Sequence, residues 1–298
     1  MPVEIYKGRF APSPSGPLHL GSLFTALASF LQAHKKKGQW FLRIDDVDTI
    51  RVTNGATDSI LKTLEAFSLQ WDGEILYQSQ QKERYEQAIE SLQHQSLLYP
   101  CTCSRKQLAK INKNKPAIYP GICRRKKPTD TKLPYSLRIR TDDALIGFTD
   151  KLQGVISQNI ALSVGDFVLK RRDNIYAYHL ATIIDDDFLG ITEVLRGIDL
   201  LDSTPRQLYL QQRLNLKAPE FMHLPVLTDA SGIKLSKQRF AKPVSGENPV
   251  KMLLTCLELL AQNPPSALSK ANKKEILEWA IENWNPSKLS GIKQLDCL

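Results

Sequence analysis

Several things that this sequence lacks narrow what the protein can be. In 298 residues there is no run of about 18 apolar residues, so a membrane-spanning helix is not expected. The first residues, MPVEIYKGRF, do not show the basic and then apolar pattern of a secretory signal. Cysteine occurs only five times, an odd number, which argues against a disulfide framework in a chain without such a signal. These absences predict a cytoplasmic protein that does not bind membranes.

Acidic residues are outnumbered by basic ones. The sequence has 31 Asp and Glu against 40 Lys and Arg, a formal net charge of +9. The basic residues also cluster, at 34–38, 105–115, 124–127 and 170–172. A basic protein need not have an acidic partner, but clustered positive charge favours a polyanion such as nucleic acid.

The length of 298 residues suggests about two domains, and hydrophobic periodicity predicts an α/β protein. Residues 4–11 and 39–46 have the pattern of buried strands, and the apolar positions from Leu20 follow helical spacing until KKKG at 35–38. Together they predict a strand–helix–strand unit with a parallel sheet. Further helices are predicted at 53–69, 79–99, 202–214 and 273–284, mixed strand and helix at 167–186, and strands at 135–140, 191–197 and 221–227.

The segment APSPSGPLHLGS, residues 11–22, joins the first strand to the first helix. Free backbone N–H groups and the helix dipole favour an anion at a helix start, and ligands bind at the carboxyl ends of strands in open parallel sheets. His19 could donate to a phosphate there, and the prolines would limit the freedom of the loop. A histidine in a loop is more often structural, so the segment alone leaves both interpretations open.

A second basic loop, GIKLSKQRF at 232–240, contains Lys234, Ser236 and Lys237. Taken alone, this loop is typical of a solvated surface. Combined with the His19 segment, it indicates a phosphate-binding site made of two parts.

Three cysteines, Cys101, Cys103 and Cys123, fall in a segment rich in Lys, Arg and Pro that has little periodicity. Thiolates in a small insert with few core residues favour a structural zinc ion over three incidental thiols. No histidine lies between His94 and His179, so the residues leave the fourth ligand open.

Several of these motifs together resemble a known family. APSPSGPLHLGS resembles the first signature of the class I aminoacyl-tRNA synthetases, and KLSKQ is similar to their lysine-rich second signature. GRFAPSPSG, LRIDDVDTIR and VLRGIDLL resemble the glutamyl/glutaminyl branch, over about residues 5–245. Ser22 stands where the general signature has a second His or Asn, and the glutamyl branch commonly has a small residue there. Only about 60 residues follow Lys237, too few for an anticodon-binding domain, as in truncated paralogues of this branch.

The resemblance implies a fold and its divisions. The fold would be a Rossmann-like, doubly wound parallel sheet with a small zinc-binding insert and a helical C-terminal domain. We predict the first half of the catalytic domain at 1–98, the insert at 99–135, the second half with the lysine-rich loop at 136–240, and a helical C-terminal region at 241–298.

The resemblance also assigns residues to a site, with His19 and Lys237 as the catalytic pair. The ATP-binding residues would be His19, Gly21, Lys234, Ser236 and Lys237; the glutamate-binding residues Arg9, Ala11, Ser13, Asp45, Tyr178 and Arg196; and the zinc ligands Cys101, Cys103, Tyr119 and Cys123. Guanidinium groups suit the carboxylates of glutamate, and a carboxylate suits its ammonium. Asp45 departs from the family's usual Glu and is one methylene shorter, and His179 replaces a more usual amide residue.

The implied activity is that of the truncated paralogues, which activate L-glutamate with ATP and Mg²⁺ and attach it to queuosine in the anticodon loop of tRNA(Asp). A monomer is expected, because nothing in the sequence demands more. Three alternatives stay open: a truncated glutamyl-tRNA synthetase that charges a tRNA 3′ end, a catalytically silent tRNA-binding paralogue, and a small-molecule nucleotidyltransferase. The short tail argues against the first, intact His19 and Lys237 against the second, and the basic insert against the third.

Overall fold

The computed structural model describes residues 5–111, 118–127, 129, 133–229, 232–235, 243–244 and 248–297. Elements are labelled in chain order. The strands are β1 Lys7–Phe10, β2 Gln39–Ile44, β3 Leu76–Tyr77, β4 Leu98–Cys101, β5 Ser136–Ile139, β6 Leu145–Asp150, β7 Gly154–Asn159, β8 Val168–Lys170, β9 Glu193–Gly197, β10 Glu220–Leu224, β11 Val226–Thr228 and β12 Gln294–Asp296. The helices are α1 Leu20–Lys35, α2 Ala56–Ala66, α3 Lys82–His94, α4 Arg105–Ile111, α5 Ile160–Ser163, α6 Tyr178–Leu189, α7 Thr204–Leu214, α8 Pro249–Leu259 and α9 Lys273–Asn283.

The strand–helix–strand unit predicted at the start of the sequence is confirmed. β1 and β2 are parallel, with Lys7 opposite Gln39 and Phe10 opposite Leu42, and α1 connects them. The apolar face of α1 is buried against the sheet because its leucines and phenylalanines recur at helical spacing. β3 extends this sheet beside β2.

A four-stranded sheet is formed by strands from later in the chain, in the order β7-β6-β10-β9. β10 is parallel to both β6 and β9, whereas β7 is an antiparallel edge strand. The Thr192 backbone N–H just before β9 donates to the Lys7 carbonyl at 2.9 Å, which places β9 beside β1. Residues at the ends of β1, β2 and β9 therefore lie near one another, as expected for an open α/β sheet.

Two sequence predictions need correction, and one element was missed. The predicted helix at 79–99 ends at His94, and its last residues form β4, which pairs with β5 in a small antiparallel sheet, β4-β5-β8. The predicted strand at 221–227 is two strands in different sheets, because Pro225 has no N–H for a ladder and interrupts it. The β6–β7 hairpin was not predicted, since its outward positions carry exposed apolar residues such as Leu145 and Val155 and hide the alternation.

The described part of the C-terminal region contains the helices α8 and α9 and the strand β12, and it shares a core with the first half of the chain. Leu253 and Leu257 of α8 and Ile276 of α9 lie in the same buried cluster as Leu27 and Leu31 of α1. β12 also pairs in parallel with β11. These helices therefore do not enclose a core of their own. In the part of the chain that the structure describes, no helix is long and apolar enough to span a membrane.

Candidate active site

The loop after β1 holds His19 at the start of α1. His19 is the N-cap residue, and its Nδ1 accepts the Ser22 backbone N–H at 3.3 Å. In the neutral ring the proton is therefore on Nε2, which makes that nitrogen the donor. A Cβ at Gly21 would lie only 3.1 Å from the His19 ring, so glycine leaves room for the imidazole. The loop is also tied to β2, because the Asp45 N–H donates to the Pro12 carbonyl at 3.0 Å.

Only one of the predicted lysine-loop residues falls in the described structure. Lys234 pairs with Thr228 in a β-bridge, and its Nζ lies 2.5 Å from Asp199, just after β9. Both side chains of this ion pair are largely solvated, so the lysine can exchange its partner for another anion at little cost. Ser236 and Lys237 lie outside the described residues.

Arg9 and Asp45 belong to one buried network of charges. Arg9 donates two hydrogen bonds to Asp186 of α6, from Nε at 3.0 Å and from Nη2 at 3.3 Å. Arg43 bridges the two acids, with Nη1 2.7 Å from Asp186 and Nε 2.6 Å from Asp45. Burial would raise the pKa of Asp186, but the two guanidinium groups outweigh it and lower that pKa. Two positive and two negative charges thus hold one another at the ends of β1 and β2.

Asp45 differs from Asp186 in its balance of forces. Its side chain is 8% exposed, and burial raises its pKa although Arg43 opposes that shift. An added cation beside Asp45 would stabilise its charged form. The Asp45 carboxylate, which already accepts from Arg43 through both oxygens, could also take an ammonium group.

Arg196, at the end of β9, is buried and almost fully occupied by protein contacts. Its Nη2 lies 2.8 Å from both Thr204 Oγ1 and Gln207 Oε1, and its Nε donates to His223 Nε2 at 3.0 Å. Its Nη1 donates to the Tyr178 hydroxyl at 3.3 Å. The structure thus brings Arg196 and Tyr178 into contact, as the sequence predicted. Because Nε and Nη2 are occupied, Arg196 can offer a ligand a single contact through Nη1 and not a bidentate one.

The remaining predicted pocket residues lie on the first loop and on α6. Ala11 follows β1 directly and is half-buried, whereas Ser13 is exposed. His179 is buried against Phe167, with ring centroids 6.0 Å apart, and burial lowers its pKa to about 3. His179 therefore packs as a neutral ring.

The three cysteines and the tyrosine of the insert meet in a small buried cluster. The three sulfur atoms lie within 4.8 Å of one another, and Cys103 Sγ is 3.6 Å from Cys123 Sγ. The Tyr119 hydroxyl lies 3.4 Å from Cys101 Sγ and 3.8 Å from Cys103 Sγ. Ligands of a tetrahedral zinc ion with bonds of about 2.0–2.3 Å lie roughly 3.3–3.8 Å apart, and the Cys103–Cys123, Tyr119–Cys101 and Tyr119–Cys103 distances fall in that range. The three cysteines could therefore hold a metal ion.

Known proteins share both this sequence and this architecture. The catalytic domain of the class I tRNA synthetases (E and Q) matches residues 6–250. The glutamyl-Q tRNA(Asp) synthetase of Methylococcus capsulatus is 49% identical over 99% of this chain and 96% of its own. This chain belongs to the glutamyl-Q tRNA(Asp) synthetase family. The Thiobacillus denitrificans member of the family is 45% identical over 93% of both chains.

Membership of the glutamyl-Q tRNA(Asp) synthetases makes the chain a ligase-type, tRNA-modifying enzyme. A solved structure agrees: glutamate-tRNA synthetase of Elizabethkingia anophelis superposes with a TM-score of 0.80 at 26% identity, over 98% of this chain and 68% of that one. The class I glutamyl-tRNA synthetase-like α/β fold is therefore confirmed.

In this glutamyl-Q tRNA(Asp) synthetase homologue, the sequence reasoning missed Arg43, Asp186 and His223. Asp186 follows Tyr178 by eight residues and so shares its helix face, which was a readable signal. His223 had no signal of its own, because its partner Arg196 becomes adjacent only through the β9–β10 register.

Proposed function

We propose that this protein activates L-glutamate with ATP·Mg²⁺ and transfers it to queuosine in the anticodon loop of tRNA(Asp). The observation that carries the proposal is the 49% identity to a glutamyl-Q tRNA(Asp) synthetase over nearly the whole of both chains. The buried charges at the ends of β1, β2 and β9 support it, because glutamate needs two cationic contacts and one anionic contact.

The glutamate pocket combines residues from the first loop, β2, α6 and β9. Among the described residues, Arg9 uses Nε and Nη2 to bind Asp186, and its Nη1 would bind a substrate carboxylate. Arg196, through Nη1, and the Tyr178 hydroxyl would contact the second carboxylate. Asp45 would receive the ammonium, and Ala11 and Ser13 would form the wall at the end of β1.

The ATP site combines the start of α1 with the lysine loop. His19 would donate from Nε2 to phosphate oxygens, and Gly21 would leave the room that the His19 ring needs for this orientation. Lys234 would exchange Asp199 for a phosphate, Ser236 would add a hydrogen bond, and Lys237 would stabilise the charge on the departing pyrophosphate.

Two steps make up the proposed reaction. An oxygen of the glutamate α-carboxylate forms a bond to the α-phosphorus of ATP, and the bond from that phosphorus to pyrophosphate breaks. A hydroxyl of the queuosine cyclopentene diol then attacks the glutamyl carbonyl, and AMP leaves as the hydroxyl gives up its proton. The protein positions the reactants and stabilises charge, without a covalent enzyme intermediate. We propose that the enzyme acts as a monomer, on tRNA, in the cytoplasm.

We propose that Cys101, Cys103, Tyr119 and Cys123 hold one structural zinc ion. The ion would link the end of β4 to the residues after 118 and fix the insert against the small sheet. Arg138 lies over the Tyr119 ring, 3.9 Å from its centroid, and its charge favours an electron-rich phenol oxygen at the metal.

The decisive experiment measures transfer of labelled glutamate to purified tRNAs. We expect tRNA(Asp) that carries queuosine to accept glutamate, even after its 3′-terminal adenosine has been removed. Queuosine-free tRNA(Asp) and tRNA(Glu) should accept none. Labelling of tRNA(Glu) at its 3′ end would instead establish a truncated glutamyl-tRNA synthetase, and no glutamate-dependent ATP–pyrophosphate exchange would establish a silent paralogue.

A matched variant ties the activity to the proposed site. In His19→Asn the side-chain oxygen can still accept the Ser22 N–H and cap α1, but the Nε2 donor is gone. We expect the exchange rate to fall about 10²–10³-fold, the scale of one electrostatic contact to a developing charge, with the thermal midpoint unchanged. An unchanged rate would remove His19 from the ATP site.

A further inference from the structure

His223 is a buried histidine that contacts Arg196, a residue of the proposed glutamate site. It lies on β10 directly opposite Arg196 on β9, and its side chain is fully enclosed. Its Nε2 faces Arg196 Nε at 3.0 Å, and its Nδ1 faces Asp150 Oδ2 at 2.6 Å. Asp150, His223 and Arg196 thus form a continuous chain of hydrogen bonds.

The chemistry of arginine fixes the state of this histidine. A guanidinium Nε–H can only donate, so His223 Nε2 must carry a lone pair and the ring proton must be on Nδ1, where it donates to Asp150. The charged groups that face the ring are Asp150, Arg196 and, from β1, Arg9, while Thr204 adds a neutral hydroxyl at 3.3 Å. Burial and the two arginines lower the pKa of His223, which keeps the ring neutral against the pull of Asp150.

The anchoring of Nε decides where Arg196 can point. Its Nη2 is held by Thr204 and Gln207, so Nη1 is the edge that turns towards Tyr178 and the pocket. A guanidinium is planar, and fixing Nε and Nη2 therefore fixes the direction of Nη1. If the acceptor at Nε were lost, a buried donor would have no partner and the plane could tilt.

We propose that His223, oriented by Asp150, is a positioning residue for the substrate glutamate: its unprotonated Nε2 holds Arg196 so that Nη1 meets a glutamate carboxylate. This inference rests on the proposed role of Arg196 in glutamate binding. His223 itself touches no substrate.

Three variants separate positioning from simple packing. His223→Gln can place an amide oxygen near the position of Nε2 and keep an acceptor for Arg196. His223→Asn is shorter and keeps only the donor to Asp150. Asp150→Asn is isosteric, but its oxygen is required by the backbone N–H groups of Leu152 and Gln153, at 3.0 and 2.9 Å. Its amide N–H₂ then faces His223, moves the ring proton to Nε2 and opposes the Arg196 donor.

The readout is glutamate-dependent ATP–pyrophosphate exchange by the full chain, with glutamate and ATP varied separately. We expect Asp150→Asn and His223→Asn to raise the KM for glutamate about tenfold or more, and to change kcat and the KM for ATP less than about threefold, as for a loss of uniform binding. His223→Gln should stay within about threefold of the unmodified protein in every parameter.

The outcomes distinguish this inference from the proposed function. Without glutamate-dependent exchange in the unmodified protein, both are overturned. If that protein exchanges but the three variants have the same KM for glutamate, or if the KM for ATP rises equally, only the positioning role is overturned. Should His223→Asn fail to fold, as judged by its thermal midpoint, the comparison of Asp150→Asn with His223→Gln still decides.

Discussion

Asp185 is a third buried carboxylate, beside the charge network of Arg9, Arg43, Asp45 and Asp186. Arg9 and Arg43 form salt bridges with Asp186 and Asp45, and among the described residues Asp185 has no salt bridge. Its described hydrogen-bond donors are neutral, Tyr85 Oη at 2.8 Å and Gln78 Nε2 at 2.7 Å. Burial raises its pKa to about 7, and Arg43 and these hydrogen bonds offset the shift only in part.

This shift makes the stability of the protein depend on pH. The folded state keeps a proton on Asp185 between about pH 4 and pH 7, whereas the unfolded state releases it, so this contribution to stability falls as pH rises. Asp185→Asn removes it. Relative to the unmodified protein, the free energy of unfolding of the variant should rise by up to about 1.4 kcal/mol per pH unit in that range, measured by urea unfolding.

The variant should fold, because a flipped Gln78 can accept from the new amide. Gln78 Oε1 is buried and has no hydrogen-bond partner among the described residues. Asp187→Asn, on the exposed side of the same helix, is the control for removing one carboxylate from α6. A difference between Asp185→Asn and the unmodified protein that does not change with pH would show that Asp185 is charged throughout.

At the scale of elements, the cysteine cluster lies at the end of β4 in the small sheet β4-β5-β8. Cys101 ends β4, Cys103 follows two residues later, and Tyr119 and Cys123 return after the intervening segment. Protein purified without chelator should contain about one zinc per chain. Cys103→Ser should lose most of it, because a hydroxyl is a poorer zinc ligand than a thiolate.

Cys297→Ser is the matched control for this metal analysis. Cys297 is also partly buried, and its thiol donates to the Thr228 carbonyl at 3.2 Å, a bond that serine can keep. Its zinc content should stay that of the unmodified protein. Equal zinc in both variants, or none in the unmodified protein, would refute the site.

The elements that the sequence predicted are those that interactions between residues close in sequence determine. α1 and α9 have apolar faces at helical spacing, and α9 also has an Asn272–Glu275 capping box, so both were visible in the sequence. The β6–β7 hairpin was not visible although its pairing is local, because exposed apolar residues such as Leu145 and Val155 hide its alternation. The pairing of β6 with β10 is not local, since the two strands lie about 70 residues apart. The role of His223 was not visible for the same kind of reason, because it depends on the arginine that the sheet brings beside it.

At the scale of the whole molecule, one buried acid links distant parts of the chain. Glu193 on β9 accepts from Tyr6 at 3.0 Å and from Gln32 Nε2 at 2.8 Å, and it also pairs with Lys151. Gln32 Oε1 in turn accepts the Trp284 indole N–H at 2.7 Å. The C-terminal helices are thus joined to the catalytic sheet by buried hydrogen bonds as well as by a common core.

This linkage predicts that the C-terminal helices and the active site unfold together. Trp284→Phe keeps an aromatic ring but leaves buried Gln32 Oε1 without its donor, and should cost about 2 kcal/mol. Trp279→Phe is the control, because the indole N–H of this half-buried tryptophan has no hydrogen bond to the described residues, and its cost should be clearly smaller.

On heating Trp284→Phe, exchange activity and the fluorescence of the remaining tryptophans should be lost at one lowered midpoint. Activity that outlasts the fluorescence change would show that the C-terminal helices unfold on their own, and equal costs for the two variants would show that the buried hydrogen bond is not what joins them.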